Sequence, residues 1–586
     1  MTVSYFRCLI RLSLIAQLIL FSLPSQSAPI DAGVIHQERS RQAQSKSILP
    51  RKEASKVDVL QQPEGTSDTM EADTRVWVTG YEIHGNTRLT PVQIRQVLAP
   101  FTDAELTVGD IHRAAAVLQE RYIESGYFAA EVVIPPQALT NNVVVLNVYE
   151  GVLAEQGVYL VNSAKRVSNE TVERILQTQL TTGVPMQARD FERAILLTGD
   201  LPGISAHASL LPGEEVGQAV FQMETFETPL LQGDVRLDNF GSYFTGEARL
   251  GATLIVDSPS RHGDRLMLDA VTSGSRSNYL FMQYDLPVGG DGLRLGASAD
   301  YLSYELGKEY EALNAQGDAS ELRFFGNYPL QRARHANLYG NITFSRLDMR
   351  DESDLDGLAD RQVDALIVGL IGDRESDIVR DGEFYYAAAL TVGRLDISGS
   401  DAFTDFDRQF VKAEGSFAKL EYEIARLQHL SGPLSAYASF SGQHANQNLD
   451  TSQKFFIGGP FDVAGYPVGE LSGDEGALLH LDLRYDLHDV LGHSETQISL
   501  FYAHGWARLY NTTWPGWEGG NDQIENRITL KSVGLSSYST WQGRYLLHLI
   551  VGRQIGDNPG SDPLTGEDND HSDSDYRAWI QGAYLF

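Results

Sequence analysis

Few residue patterns in this chain could do bond-making chemistry, and those few fail at a required position. Glu352, Asp354, Asp356 and Gly357 begin like an EF-hand calcium loop, which sets oxygen ligands at alternate positions before a glycine turn. The twelfth position is Val363, where a bidentate glutamate must close the shell, so an acidic surface loop is the better reading. The acidic run from Glu567 to Asp575 reads the same way, with weak divalent-ion binding the most it would do. The 14 histidines show no metal-ligand spacing. No glycine loop ends in Gly-Lys-Ser/Thr, and no Gly-x-Ser-x-Gly elbow presents a serine nucleophile. The expectation is a protein that is no enzyme and carries neither cofactor nor metal.

Charge and cysteine usage narrow the class. The formal net charge of −32 repels phosphate backbones and argues against nucleic acid as a partner. The single cysteine, Cys8, lies within residues 1–27, which read as a signal peptide. Arg7 and Arg11 supply the basic start, Leu12 to Leu23 the short apolar core, and Ser25-Gln26-Ser27 the cleavage site. Cys8 precedes that core and is badly placed for a lipid anchor. The exported chain then has no thiol, so no disulfide or thiolate metal site.

The elements that follow are small modules and then strands. Residues 28–46 are polar and Gln/Arg-rich with few breakers, and predict a weakly amphipathic helix. Residues 47–74, with Pro50, Pro63 and Gly65, read as a linker. Two units of the order β-α-α-β-β follow, at 75–151 and 152–226. In the first, an alternating run from Val76 to Ile83 precedes a turn at Gly85-Asn86, and Thr90-Pro91 opens a helix. A second helix from Thr107 to Ser125 places Ile111, Ala114, Ala115, Leu118 and Tyr122 on one face and stops at Gly126. Strands at Tyr127–Ile134 and Val143–Tyr149 close the unit. In the second unit, Ala154–Val161 is a strand, Ser168 caps one helix, Ala188–Leu197 is another, and strands near Ser205–Leu211 and Gln218–Glu224 finish it. A tandem repeat of this kind presents two sheet edges.

Residues 227–586 read as strands only. In Leu293–Tyr301 every odd position is apolar or aromatic, and Leu280, Met282, Tyr284 and Leu286 oppose Gln283 and Asp285. Two-faced strands fit lipid outside and water inside, and the 54 Gly, 26 Tyr and 24 Phe suit a membrane barrel. The last strand alternates Ile580, Gly582, Tyr584 and Phe586, with the aromatic Phe586 terminal, as barrels present themselves to their assembly machinery. The fold class expected is a transmembrane antiparallel β-barrel of 16 strands, preceded by two small α/β domains and an N-terminal helix.

The chain resembles the two-partner secretion transporters of the ShlB/FhaC/HecB type, within the outer-membrane assembly-factor superfamily. The resemblance runs through Gly85-Asn86-Thr87, Tyr122, Gly126-Tyr127, Pro136-Gln137 and Tyr149-Glu150-Gly151, the marks of a polypeptide-transport-associated (POTRA) domain. It continues through Leu237–Ser242, Thr245-Gly246 and Gly263-Asp264 into the most specific stretch, Phe455 to Tyr466, followed by Leu471-Ser472-Gly473-Asp474. In that family this stretch is a loop folded into the lumen with Val-Arg-Gly-Tyr at its tip, its arginine paired to an aspartate in a Phe-x-Asp-x-Gly wall motif. Here the tip reads Val463-Ala464-Gly465-Tyr466, after Gly458-Gly459, and the wall reads Phe501-Tyr502-Ala503-His504-Gly505. Both charges are missing. Removing one partner would strand a buried charge at a cost of roughly 3–5 kcal/mol, whereas removing both is nearly neutral. The expectation is a loop held by packing, through Tyr466, Phe501 and His504.

The resemblance implies a passive export pore, with residues 28–46 as a lumen plug. An unfolded exoprotein (adhesin, cytolysin or toxin) would be captured in the periplasm by strand addition to a POTRA edge, Phe128–Ile134 or Ser205–Leu211. Outer-membrane lipid and the barrel assembly machinery are the other implied partners. A barrel-assembly factor, a porin-like barrel and a soluble adhesin are the alternatives.

Overall fold

The computed structural model describes residues 31–45, 57–58, 75–355, 357–375, 381–489, 492–518, 525–558, 561 and 567–586. The signal peptide, nearly all of the linker and Asp356 lie outside them.

Sixteen antiparallel strands, from Leu231–Asp238 to Tyr576–Leu585, close into one barrel. Alternation builds it. Leu280, Met282, Tyr284, Leu286, Leu295 and Tyr301 are exposed on the outer wall, while Ser298, Asp300 and Leu302 are buried toward the lumen. An exposed apolar belt of this extent has water as the wrong solvent and a bilayer as the right one. The seam between first and last strands pairs Asp234 with Leu585 through Asp238 with Gln581. Ile580, Tyr584 and Phe586 face outward there, and the Phe586 main chain exchanges 3.0 Å hydrogen bonds with Gly233 in both directions.

A helix, α1 (Ala32–Ser45), lies inside, with Ala32 and Ile35 packed into one apolar cluster with Tyr279, Phe281 and Leu302 of the wall. A short strand, β1 (Val57–Asp58), is the described part of the linker.

The first small domain departs from expectation in two places. Its opening run divides into β2 (Arg75–Val78) and β3 (Gly80–His84). The cause is Thr79, whose N–H donates to Asn142 O at 2.8 Å and so leaves the strand direction. After α2 (Pro91–Leu98), β2 pairs with β4 (Ala104–Thr107), a strand that the sequence reading lacked. After α3 (Val108–Glu124), residues 127–130 form a turn, closed by Ala130 N–H on Tyr127 O at 3.1 Å, so the expected strand Tyr127–Ile134 shrinks to β5 (Glu131–Val133). With β6 (Val143–Tyr149) the sheet order is β3-β6-β5.

The second domain holds β7 (Val152–Asn162), α4 (Asn169–Gln179), α5 (Ala188–Gly199), β8 (Ile204–Pro212) and β9 (Gln218–Glu227). Its sheet order is β1-β8-β9-β7, so the linker strand β1 adds in parallel to the outer edge of β8 at Ala208 and Ser209. Asp200, just after α5, pairs at 2.7 Å with Arg332 at the end of the barrel strand Gln316–Arg332 and fastens this domain to the barrel.

Candidate functional site in the barrel lumen

Two inserts occupy the lumen. The first is α1. Asp31 caps it by accepting from Val34 N at 3.0 Å, and Ala32 N donates to Asp351 of the wall at 2.8 Å. Arg361 gathers Asp31 at 2.9 Å, Asp351 at 2.6 Å and Asp450 at 2.8 Å around one guanidinium. Burial outweighs that cation and pushes the Asp31 carboxyl up to about 6. Further along, His36 contacts Asp300 directly and lies 3.5 Å from Glu321. Glu38 meets Arg249 at 3.2 Å, and Arg249 in turn holds Asp238 at 2.6 Å. Gln37 donates to Lys454 O at 3.0 Å, which ties the helix to the second insert. At Gly33 a Cβ would lie 2.8 Å from Ser452 N, so only glycine lets the helix seat so closely.

The second insert is the loop after the strand Leu434–Ala445. Phe455–Ile457 pairs with Leu471–Gly473 as its stem. Gly458 (φ +123) and Gly459 (φ +96) make the turn, and a Cβ on Gly458 would reach 2.3 Å from Pro467 O. At the tip, Ala464 packs with Phe240, Phe501, Ile550 and Trp579. Val463 and Tyr466 pack instead with Phe455, Ile457, Leu471 and Ala503. Trp579 Nε1 donates to Ala464 O at 2.9 Å, and Gln554 Nε2 donates to Gly465 O at 3.2 Å. Gly465 and Gly552 permit this: an added Cβ would meet Gln554 N at 2.8 Å and the Ala464 carbonyl carbon at 2.5 Å respectively. Gly505 plays the same part, since its Cβ would lie 2.8 Å from Ile457 Cγ2. Gly473 admits the Arg508 carbonyl, 2.4 Å from a Cβ built there.

Tyr466 and Phe501 thus both touch the interface, in adjoining clusters. His504 does not. Phe501, Ala503 and Gly505 are buried toward the loop, and parity turns His504 to the opposite face, beside Tyr502 at 3.4 Å. Asp474, fully buried at the stem, takes Lys454 at 3.1 Å, Asn511 N at 2.7 Å and Leu449 N at 3.0 Å. Burial nonetheless pushes its carboxyl upward. Glu470 is pushed to about 8 by burial first and the charge of Asp568 second, against donation from Asn558 at 2.6 Å. Sequence reasoning missed Trp579, Gln554, Arg361 and the His36 partners. Parity alone would have marked Trp579 as inward, opposite Ile580.

In the first small domain the motif residues build a single knot. Glu150 accepts from Thr87 N at 2.6 Å, Arg88 N at 2.9 Å and Tyr122 OH at 3.2 Å. Asn86 closes its own turn onto Leu89 at 2.9 Å. Gly85 (φ +83) and Gly151 (φ +67) sit where a Cβ would meet Val148 O at 2.2 Å and Ala129 O at 2.4 Å. Tyr127 stacks edge-on to Tyr122 within the domain, while Gly126 O accepts from Ala188 N at 2.9 Å and Tyr127 OH from Gln187 Nε2 at 3.4 Å, which couples the two domains. After Pro136, Gln137 bonds both the N–H (2.7 Å) and the C=O (2.8 Å) of Val145, covering the rest of that sheet edge beyond β5. The set shapes the domain and its edges.

A closed 16-strand barrel with a helix in its lumen and two small α/β domains ahead of it defines the class as a membrane β-barrel with a soluble arm. The chain belongs to the haemolysin secretion/activation protein family ShlB/FhaC/HecB, which matches residues 217–520, more than half of its length. The ShlB-type POTRA domain matches residues 76–151. The Heme/hemopexin transporter protein HuxB of Haemophilus influenzae (strain 86-028NP) is 25% identical over 475 residues, covering 81% of this chain and 82% of the relative. The Hemolysin transporter protein HpmB of Proteus mirabilis is 21% identical over 461 residues, 76% of this chain and 77% of the relative. Among solved structures, CdiB from Escherichia coli superposes with a TM-score of 0.71 at 17% identity, over 96% of this chain and 100% of that one. This fold and family place the protein in the bacterial outer membrane with its POTRA domains in the periplasm.

Proposed function

We propose that this chain captures one dedicated, unfolded exoprotein in the periplasm and secretes it through its own barrel without nucleotide hydrolysis. The observation that carries the reading is the β1–β8 pairing. The edge of the second POTRA domain already takes an added extended strand, at Ala208 and Ser209. An exoprotein segment would use the same main-chain donors and acceptors, with alternate side chains giving selectivity. The edge of β5 is the lesser candidate, being three residues long with Gln137 across the neighbouring register.

Passage then requires α1 to leave, because it fills the lumen beside the folded-in loop. With no phosphate-binding loop in the sequence, the drive is folding of the cargo outside, which biases thermal motion in one direction. In this reading the chain is not an enzyme, its cargo is an adhesin, cytolysin or toxin, and Phe586 with Tyr584 is read by the assembly machinery during insertion. The relatives' names attach them to heme/hemopexin and hemolysin transport, which supports a secreted protein cargo.

The test is quantitative mass spectrometry of medium and cell surface with the gene present and deleted. Loss of one large exoprotein from outside supports the proposal. An unchanged exterior with depleted barrel proteins in the outer membrane would identify an assembly factor instead.

A further inference from the structure

The seat of α1 is short of cations. At its first turn three carboxylates, Asp31, Asp351 and Asp450, share the one guanidinium of Arg361. Tyr304 OH and Ala32 N donate to Asp351, and Thr451 Oγ1 donates to Asp31. The helix N-terminus supplies partial positive charge there. Those dipoles leave a negative excess in a buried site.

One turn on, His36 faces Asp300, Glu321 and Arg323, with the Tyr279 ring 6.5 Å away. Arg323 Nε holds Glu321 at 2.7 Å, and Arg323 Nη1 lies 3.7 Å from the second oxygen of Asp300, which accepts no hydrogen bond among the described residues. Two carboxylates, one guanidinium and the His36 ring are buried together there. The third contact, Glu38 and Arg39 with Arg249 and Asp238, balances as it stands.

We infer that seating the plug takes up protons, so that the lumen closes more tightly in acid and opens as pH rises. The inference rests on reading α1 as the plug. Asp31 rides on the element that moves. When α1 leaves, Asp31 and the wall carboxylates Asp351 and Asp450 return to water, their crowding around Arg361 ends, and the extra proton is released. The Asp31 carboxyl, held near 6 by burial, titrates within the range between pH 5 and 8. The sign follows. A seat that raises proton affinity favours the docked helix below about pH 6 and loses that advantage as pH climbs through it.

The full-length protein in planar bilayers tests this through its open fraction at pH 5 and pH 8. Wild type is expected to open about tenfold or more at the higher pH, since each coupled proton contributes up to about tenfold per pH unit. Asp31→Asn should abolish the dependence. A variant lacking residues 31–45, shown to be a folded barrel by heat-modifiable mobility, should stay open at both pH values. A flat wild-type response, or an Asp31→Asn variant with the wild-type slope, overturns the inference. Opening by a chelator at pH 5 also overturns it, because a bound metal and not protons would then hold the three groups. If the deletion conducts no more than wild type, the plug reading has failed and this inference goes with it.

Discussion

Trp579, on the last barrel strand, donates its indole N–H to the main-chain carbonyl of Ala464 at the tip of the lumen loop, 2.9 Å away. The family resemblance implies an ion pair at this loop tip, and both of its charges are absent, at Ala464 and Ala503. Here an aromatic donor and a pair of apolar clusters hold the loop. A buried hydrogen bond needs no counterion and pays less desolvation than two charges. Trp579→Phe removes the donor and leaves the Ala464 carbonyl unsatisfied at a cost of about 1–3 kcal/mol. Trp579→Ala empties the cluster and costs about 3–5 kcal/mol. Thermal melting of the purified barrel should rank wild type, Phe and Ala in that order, and equal melting of all three would show the contact to be idle.

Ala464 and Ala503 are both almost fully buried, at 2% and 0% exposure. Ala464→Arg or Ala503→Asp alone places an unpaired charge in an apolar pocket, with a loss of roughly 3–5 kcal/mol. The two together should recover about 0.5–3 kcal/mol through their interaction. The readout is the melting of the four members of the cycle. Strict additivity would mean that tip and wall do not face one another across this interface.

The first POTRA domain hangs on Glu150. Glu150→Ala removes the acceptor shared by Thr87 N, Arg88 N and Tyr122 OH. The expected loss is on the order of 2–4 kcal/mol, as several donors are stranded in or near the core. Hydrogen exchange on the full chain should show faster exchange across residues 85–90 and the end of α3, with the barrel unchanged. Glu150→Gln keeps one acceptor and should fall between.

The outer faces were legible because lipid selects for them: Leu280, Met282, Tyr284 and Leu286 can be read off by alternation alone. Turn glycines such as Gly85 and Gly151 were legible because no other residue fits their left-handed backbone. The break at Thr79 was not, since its cause is a carbonyl contributed by Asn142, far along the chain. Nor were the partners of α1. Asp300 and Arg361 look like ordinary polar residues on a water-facing wall until closure brings Asp31 and His36 against them. His504 was misplaced despite a legible signal, because it alternates with Phe501 and Ala503 and so must face the other way.

Glu470 makes the loop anchorage depend on pH in its own range. Its carboxyl is raised to about 8 by burial and by Asp568, so the folded loop prefers it protonated. Stability from this group is therefore fully present near pH 4 and drains away as pH rises through about 8. Limited proteolysis within residues 458–474 should accelerate between pH 6 and pH 9 in wild type. Glu470→Gln keeps the hydrogen-bonding shape toward Asn558 without the charge, so it should remove that acceleration. It should leave any change nearer pH 6 intact, because Asp31 titrates there on a different insert. A variant that still loosens above pH 8 would place the titrating group elsewhere, and Asp474, whose buried carboxyl is also raised, would be the next to replace with asparagine.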